Sequence, residues 1–224
     1  MSKYKLSDSD NEKVKQAIGR AEAKTSGEIV TAIIKESSDY AFYELLFSLI
    51  GGFVYYLVCL FLYNDISRWL NNFFWTYSEV YTTAFIGMST IFVIGLFYVL
   101  ANIDGVDRLI VPAKVIGKKV NRRALLFFGE SGLFDTKDRT GVLIFISLKE
   151  KRVELIADKG INELVKQDTW NDVVSNLITR LKERNIVDGL VEAVDSCGNI
   201  LSENFPIQPD DENELSDDVH ILED

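Results

Sequence analysis

The sequence is poor in proline, cysteine and histidine. Its 224 residues include three prolines, two cysteines and a single histidine, His220. Two cysteines exclude a small disulfide-stapled scaffold, and the absence of a repeat of roughly 20–50 residues excludes a solenoid. A charged fraction of 26% with so few prolines also excludes a collagen-like chain or one that is disordered throughout.

The apolar residues are concentrated in two long runs without charge. Residues 45–63 and 80–102 contain 19 and 23 consecutive uncharged positions. About 20 apolar residues in a helix cross a hydrocarbon core roughly 30 Å thick. We therefore predict an integral membrane protein with a two-helix hairpin at residues 41–102, its spans covering about residues 41–63 and 80–101. The alternative, a pair of buried core helices, would need a larger domain than the remaining residues can form.

The basic residues predict how the hairpin is oriented. Seven Lys or Arg residues lie within residues 1–40 and six within residues 103–125, whereas the connection at residues 64–79 has only Arg68. Cytoplasmic flanks of membrane helices carry the excess of Lys and Arg. We therefore expect both termini in the cytoplasm and a short Trp-containing loop outside.

The acidic charge belongs mostly to the end of the chain. The formal net charge is -10, and residues 207–224 contain eight carboxylates and no Lys or Arg, which leaves -2 for the rest. This composition predicts a disordered acidic tail over residues 207–224. No basic stripe with interleaved aromatic residues is present, so we expect no nucleic-acid partner.

The polar segments on both sides of the hairpin predict one α/β domain. A capped helix and the β-branched run at residues 28–35 precede the hairpin. A basic amphipathic helix, two strands at residues 141–148 and 152–158, and two further helices follow it. This order predicts an α/β sandwich in which helices cover both faces of a mixed central sheet. Neither segment forms a complete sheet alone, so we expect a discontinuous domain of residues 1–40 and 103–206.

An ordered set of short segments resembles the TPM domain family, named for thylakoid-lumen, photosystem II and nematode receptor-associated proteins. The segments are residues 25–29 (TSGEI), 139–143 (RTGVL), 153–161 (VELIADKGI), Trp170, residues 188–190 (DGL) and residues 205–206 (FP). The resemblance covers residues 6–40 and about 111–206. Many relatives resemble secreted domains with a later anchor, whereas here the predicted hairpin is inserted within the domain. The resemblance implies one of several activities, since relatives are described as phosphatase-like, calcium-binding, or accessory factors in membrane-complex assembly and receptor clustering.

The residues themselves limit the chemistry of a phosphatase. Cys197 has no arginine at the spacing of a cysteine phosphatase, His220 stands alone in the tail, and no Asp-x-Asp motif occurs. Only a metal-assisted mechanism survives, with carboxylates as ligands for Ca²⁺ or Mg²⁺. The two strands should form a hairpin, which brings Asp135, Asp138 and Asp158 to one end of the sheet as candidate metal ligands. The alternative is that they are solvated turn residues with an ion pair to Arg139 or Lys159.

Two functions remain open at this point. The first is a bilayer-anchored accessory, assembly or interaction module for other membrane proteins, for which no catalytic residue or cofactor is assigned. The second is a metal-dependent phosphatase acting near the membrane through Asp135, Asp138 and Asp158. The missing nucleophile favours the first function.

Overall fold

The chain forms two compact units. The computed structural model describes residues 5–103, 105–208 and 213–223. Met1–Ser38 and Lys114–Asp224 together make one unit, here called the α/β unit, and Asp39–Ala113 makes the other, here called the hairpin unit. Residues 209–212 and 224 of the acidic tail lie outside the described residues.

The α/β unit contains a sheet flanked by helices. Its elements in chain order are α1 (Asp8–Glu22), β1 (Glu28–Ile34), α6 (Ala113–Glu130), a short 3₁₀ helix (Leu133–Asp135), β2 (Gly141–Ser147), β3 (Arg152–Ala157), α7 (Lys159–Leu164), α8 (Gln167–Lys182), α9 (Ile186–Asn204) and β4 (His220–Leu222). The elements α2 to α5 belong to the hairpin unit. Ser7 begins α1, because its hydroxyl accepts a bond from the Asp10 amide.

The sheet is mixed, as the sequence predicts. Its strand order is β3-β2-β1-β4, and β1 pairs in parallel with both β2 and β4, whereas β2 and β3 are antiparallel. Every residue of β1 and β2 is buried, which explains why both strands read as continuous apolar runs rather than alternating ones.

Helices cover both faces of this sheet, which confirms the predicted α/β class. On one face, α1, α8 and α9 bury a cluster that includes Ile18, Ile33, Ile144, Leu177 and Val194. On the other face lies α6, whose Asn121 donates to Glu154 of β3 at 3.1 Å and whose Phe127 ring lies 5.4 Å from the His220 ring of β4.

The hairpin unit consists of α2 (Ala41–Phe61), α3 (Tyr63–Asn71), α4 (Glu79–Ala101) and the short α5 (Asp107–Ile110). The long helices α2 and α4 pack against each other and are long and apolar enough to cross a membrane. A Cβ atom on Gly52 would lie 2.2 Å from Ile94, so the glycine permits this close approach. Where the sequence predicts a simple outer loop, the structure has the helix α3.

The structure corrects the prediction of a disordered tail. Residues 220–222 form β4, which pairs with Ala32, Ile33 and Ile34 of β1. The composition suggested disorder because carboxylates dominate the segment, but a short apolar run follows them, and it satisfies the outer edge of β1.

Candidate functional site

A polar pocket lies at the end of the sheet where β1 and β2 begin. Four segments of the α/β unit contribute to it: the turn before β1, the turn before β2, the segment after α9 and the tail. The lining residues are Ser26, Glu28, Thr136, Lys137, Asp138, Thr140, Gln208 and Glu214.

Backbone bonds hold the turn before β1 in place. Thr25 forms a bridge with Pro206, and the Ser26 amide donates to the Phe205 carbonyl at 3.1 Å. Thr140 then donates its hydroxyl to the Ser26 carbonyl at 3.1 Å. A Cβ atom on Gly27 would lie 3.2 Å from the Thr140 carbonyl oxygen, so the two turns lie close together and a larger residue would require a small shift between them.

A bidentate ion pair between Arg139 and Asp158 lies in the segments that flank the pocket. The guanidinium Nε lies 2.6 Å from Asp158 Oδ2, and the second nitrogen lies 3.0 Å from Oδ1. The Asp158 carboxylate is buried and also accepts the Lys159 amide at 2.6 Å, which caps α7. The hydrogen bonds that Arg139 donates to Asp158 raise the pKa of Arg139, and the charges of Asp158 and Asp135 raise it further.

Two close backbone features support this pair. Arg139 has φ +55°, a left-handed conformation that is uncommon for a residue other than glycine. The Gly160 amide donates to the Arg139 carbonyl at 3.1 Å, and a Cβ atom on Gly160 would lie 2.7 Å from the Asp138 carbonyl oxygen. The turn before β2 therefore sits directly against the start of α7, and only glycine fits at position 160.

The three predicted metal ligands do not share one environment. Asp138 lines the pocket, and Asp158 binds Arg139. Asp135 ends the 3₁₀ helix, and its charge raises the pKa of Arg139. Among the described residues, no group of three or more His, Cys, Asp or Glu side chains could hold a metal ion. The ion pair with Arg139 is the alternative that the sequence left open. A metal site at Asp135, Asp138 and Asp158 stays a prediction.

The two threonine hydroxyls of the pocket donate to backbone carbonyls. Thr136 donates to the Leu133 carbonyl at 3.2 Å, and Thr140 donates to Ser26 as described. The thiol of Cys197 is fully buried in α9, and burial raises its pKa to about 12, so it is not a nucleophile near neutral pH. The single histidine, His220, lies in β4 and packs against Phe127 of α6.

The tail contributes pocket residues that sequence reasoning missed. The Glu214 amide donates to Glu28 Oε1 at 3.2 Å, while Glu214 Oε1 accepts the Lys137 amide at 3.4 Å. The acidic composition of the tail predicts a solvated segment and does not indicate these contacts. The apolar residues Val219, Ile221 and Leu222 at the end of the acidic stretch were the one feature that could have indicated a docked strand.

Comparison with known proteins agrees with this architecture. The model of the TPM domain family matches residues 101–200, which include α6, β2, β3, α7 and α8. This segment of the chain is similar to a TPM domain. The resemblance to that family drawn from the sequence is thereby confirmed for this segment.

A solved structure shares the fold of this chain. It is the NMR structure of the BA42 protein from the psychrophilic bacterium Bizionia argentinensis, at 20% sequence identity and a TM-score of 0.58. The match covers 97% of this chain and 95% of that chain. At this identity the likeness concerns the fold. No curated protein matches the chain significantly.

Proposed function

We propose that this TPM domain protein is a bilayer-anchored interaction module that serves other membrane proteins as an accessory or assembly factor. The observation that carries the proposal is the insertion of an apolar two-helix hairpin between β1 and α6 of the α/β unit. A domain built around such an insertion is tied to the bilayer at two points of its chain.

The distribution of side chains in the hairpin unit supports the anchor. The apolar residues Phe53, Ile91 and Phe92 are 60%, 72% and 71% exposed, whereas Ser48 and Thr82 are fully buried. Large exposed apolar surfaces are rare on soluble proteins and are stable in lipid. Carbonate extraction of membranes tests this anchor: the chain should stay in the pellet, and its release into the supernatant would contradict the proposal.

We propose that the α/β unit and both termini face the cytoplasm. The argument is the excess of Lys and Arg on the flanks of the two helices. A reporter fused after Asp224 should be active only in the cytoplasm, and one inserted beside Trp75, which is fully exposed, should be active only outside. The opposite pattern would overturn the orientation and leave the anchor in place.

The chemistry of the pocket supports an interaction role over catalysis. Within the part of the chain that the structure describes, the pocket hydroxyls of Thr136 and Thr140 donate to backbone carbonyls, and both cysteines are buried. General-base activation needs a nucleophile next to a base, and such a pair is not found among the pocket residues. A polar pocket without it is suited to binding.

Photo-crosslinking in intact membranes tests the interaction role. A photoreactive residue at Leu126, which is 52% exposed on α6, should give discrete adducts with membrane proteins. The same residue at Leu125, 47% exposed on that surface, provides a second position, and the buried Leu143 provides the negative control. A scan of exposed positions that gives no discrete adduct would contradict the role.

A metal-dependent phosphatase is the second candidate, and the position of Asp138 in the pocket favours it. Phosphate release from an aryl phosphate should be measured with Ca²⁺, with Mg²⁺ and with chelator, using the detergent-purified full chain. The interaction role predicts no turnover above that of Asp138→Asn. Metal-dependent turnover lost in Asp138→Asn, in folded protein, would establish the phosphatase instead.

A further inference from the structure

The last strand of the chain covers the outer edge of β1 at Ala32, Ile33 and Ile34. Without β4, the order of the sheet would end at β1, a fully buried strand of seven residues, EIVTAII. An unpaired edge of this kind accepts other extended chains through its backbone N–H and C=O groups. The tail therefore occupies a site that is built to bind a strand.

Two side chains of α1 bind the residues that precede β4. Asn11 donates to Asp218 Oδ1 at 3.0 Å and accepts the Val219 amide at 3.0 Å. Both the nitrogen and the oxygen of its side-chain amide therefore bind the tail. The ammonium of Lys15 lies 3.5 Å from the same Asp218 oxygen. Val219 is buried beside these bonds. Asn11 and Lys15 lie four residues apart on one helix, so both face the tail.

A second anchor lies at the polar pocket. Glu214 bonds the Lys137 amide and Glu28, as described above, and Asn213 donates to Glu22 Oε2 at 3.5 Å. Leu215 lies close to Gly132, where a Cβ atom would be 3.1 Å from its methyl group. The tail thus crosses from the pocket to the sheet edge, with its acidic part at the pocket and its apolar part at β1.

The attachments are weak enough to be exchanged. The strand is three residues long, and Ile221 is 37% exposed. The side chains of Lys15 and Asp218 are 45% and 50% exposed, and ion pairs at such exposed positions contribute little to binding.

We propose that the edge of β1, with Asn11 and Lys15, is a binding site for an extended peptide that has the chemistry of the tail. Such a ligand carries carboxylates followed by apolar residues and pairs in parallel with β1, with one carboxylate at the Asn11–Lys15 pair. The chain's own tail occupies the site in cis and competes with a partner segment. This inference rests on the proposed interaction role, because that role makes the ligand a protein.

The competition can be measured on the folded full chain. A protease site placed at residues 209–212 allows the tail to be cut after the protein has folded in detergent. A fluorescent peptide of residues 213–224 is then added to cut and uncut protein, and its anisotropy is recorded. The cut protein should bind the peptide, and the uncut protein should bind it at least about tenfold more weakly, because a tethered segment competes at roughly millimolar effective concentration.

Two substitutions identify the contacts. Asn11→Asp removes the donor to Asp218 and adds a like charge, so it should weaken binding of the peptide to the cut protein at least about tenfold. Asn171→Asp on α8 makes the same chemical change away from the tail and should leave binding unchanged. A scrambled peptide of equal composition should not bind.

Three results would overturn the proposal: no binding to cut, folded protein; equal binding to cut and uncut protein; or equal effects of the two substitutions. None of them would bear on membrane extraction or on the adducts from Leu126, so failure of this site and failure of the interaction role are separate outcomes.

Discussion

The α/β unit buries its large apolar side chains, whereas the hairpin unit exposes many of them. In the α/β unit Leu143 and Phe145 are fully buried, whereas in the hairpin unit Phe53 and Ile91 are 60% and 72% exposed. The hairpin unit instead buries small or polar residues such as Gly52 and Ser48 on the inner face of α2. The same amino acids thus obey two rules within one chain. Burial of apolar surface from water stabilises the first unit. In the second unit, small residues on α2 allow close packing against α4, which is how helices that are apolar enough to cross a membrane commonly associate.

Truncation of leucine should show the largest difference between the units. Leu143→Ala should lower the free energy of unfolding of the α/β unit by about 2–5 kcal/mol, because it leaves a cavity in the core. Leu57→Ala, at a 48% exposed position on α2, should cost less than about 1 kcal/mol in detergent. Denaturant unfolding followed by Trp170 fluorescence, with Trp69 and Trp75 replaced by Phe, measures the first effect. Circular dichroism measures unfolding of the hairpin unit in Leu57→Ala. Equal losses of unfolding free energy in the two variants would contradict the comparison.

Substitution of glycine should test the packing rule of the hairpin unit. Gly52→Leu should destabilise the pair of α2 and α4 by about 1–3 kcal/mol, because its side chain would overlap Ile94. Gly87→Leu is the matched control, since nothing lies within 4 Å of a Cβ atom at that position. Thermal melting of both variants in detergent should separate them. If both melt like the parent protein, α2 and α4 are not closely packed.

Buried polar groups should behave differently in the two units. In the hairpin unit Ser48 satisfies itself by donating to the Leu45 carbonyl at 2.7 Å, whereas in the α/β unit the buried Asp158 depends on Arg139. Asp158→Asn should therefore cost about 1–3 kcal/mol of stability, because a charged hydrogen bond at a buried site is lost. Asp138→Asn changes an exposed residue and should stay within about 0.5 kcal/mol of the parent. The shift of the urea midpoint measures both, and equal shifts would show that the ion pair is not structural.

Low pH should weaken docking of the tail on β1. This is the smallest of the four predicted effects. Burial lowers the pKa of His220, although the nearby Asp218 charge opposes this, so the docked tail favours the neutral ring. Docking is complete above the ordinary histidine pKa of about 6.5 and weakens as the pH falls below it, since the free tail takes up the proton more readily. The bond from Asn11 lowers the pKa of Asp218, so that carboxylate stays charged in this window.

Hydrogen exchange of the Ile221 amide between pH 7 and pH 5.5 measures this change, after correction for the intrinsic rate. The loss should be below about 1 kcal/mol because His220 is only half-buried. A His220→Phe variant should show no such loss. A corrected protection that is the same at both pH values in the parent protein would contradict the prediction.

Local pattern determined much of this protein. Uncharged runs of 19 and 23 residues predict helices long and apolar enough to cross a membrane, and the β-branched runs at residues 28–35 and 141–148 predict central strands. The match of residues 101–200 to the TPM domain family also follows from the sequence. The fold class, the insertion of the hairpin and the turns that bear Arg139 and Asp158 could therefore be predicted.

Tertiary structure alone decided the contacts made across long distances in the chain. Whether Asp158 holds a metal ion or a guanidinium depends on the position of Arg139, which takes up a left-handed backbone conformation. Whether the acidic tail is free or docked depends on the unpaired edge of β1 and on Asn11, some 200 residues earlier. The sequence shows that these groups are polar, charged or apolar, but a carboxylate meets its partner only after the sheet has formed, because the energy of each contact depends on geometry that no local pattern encodes.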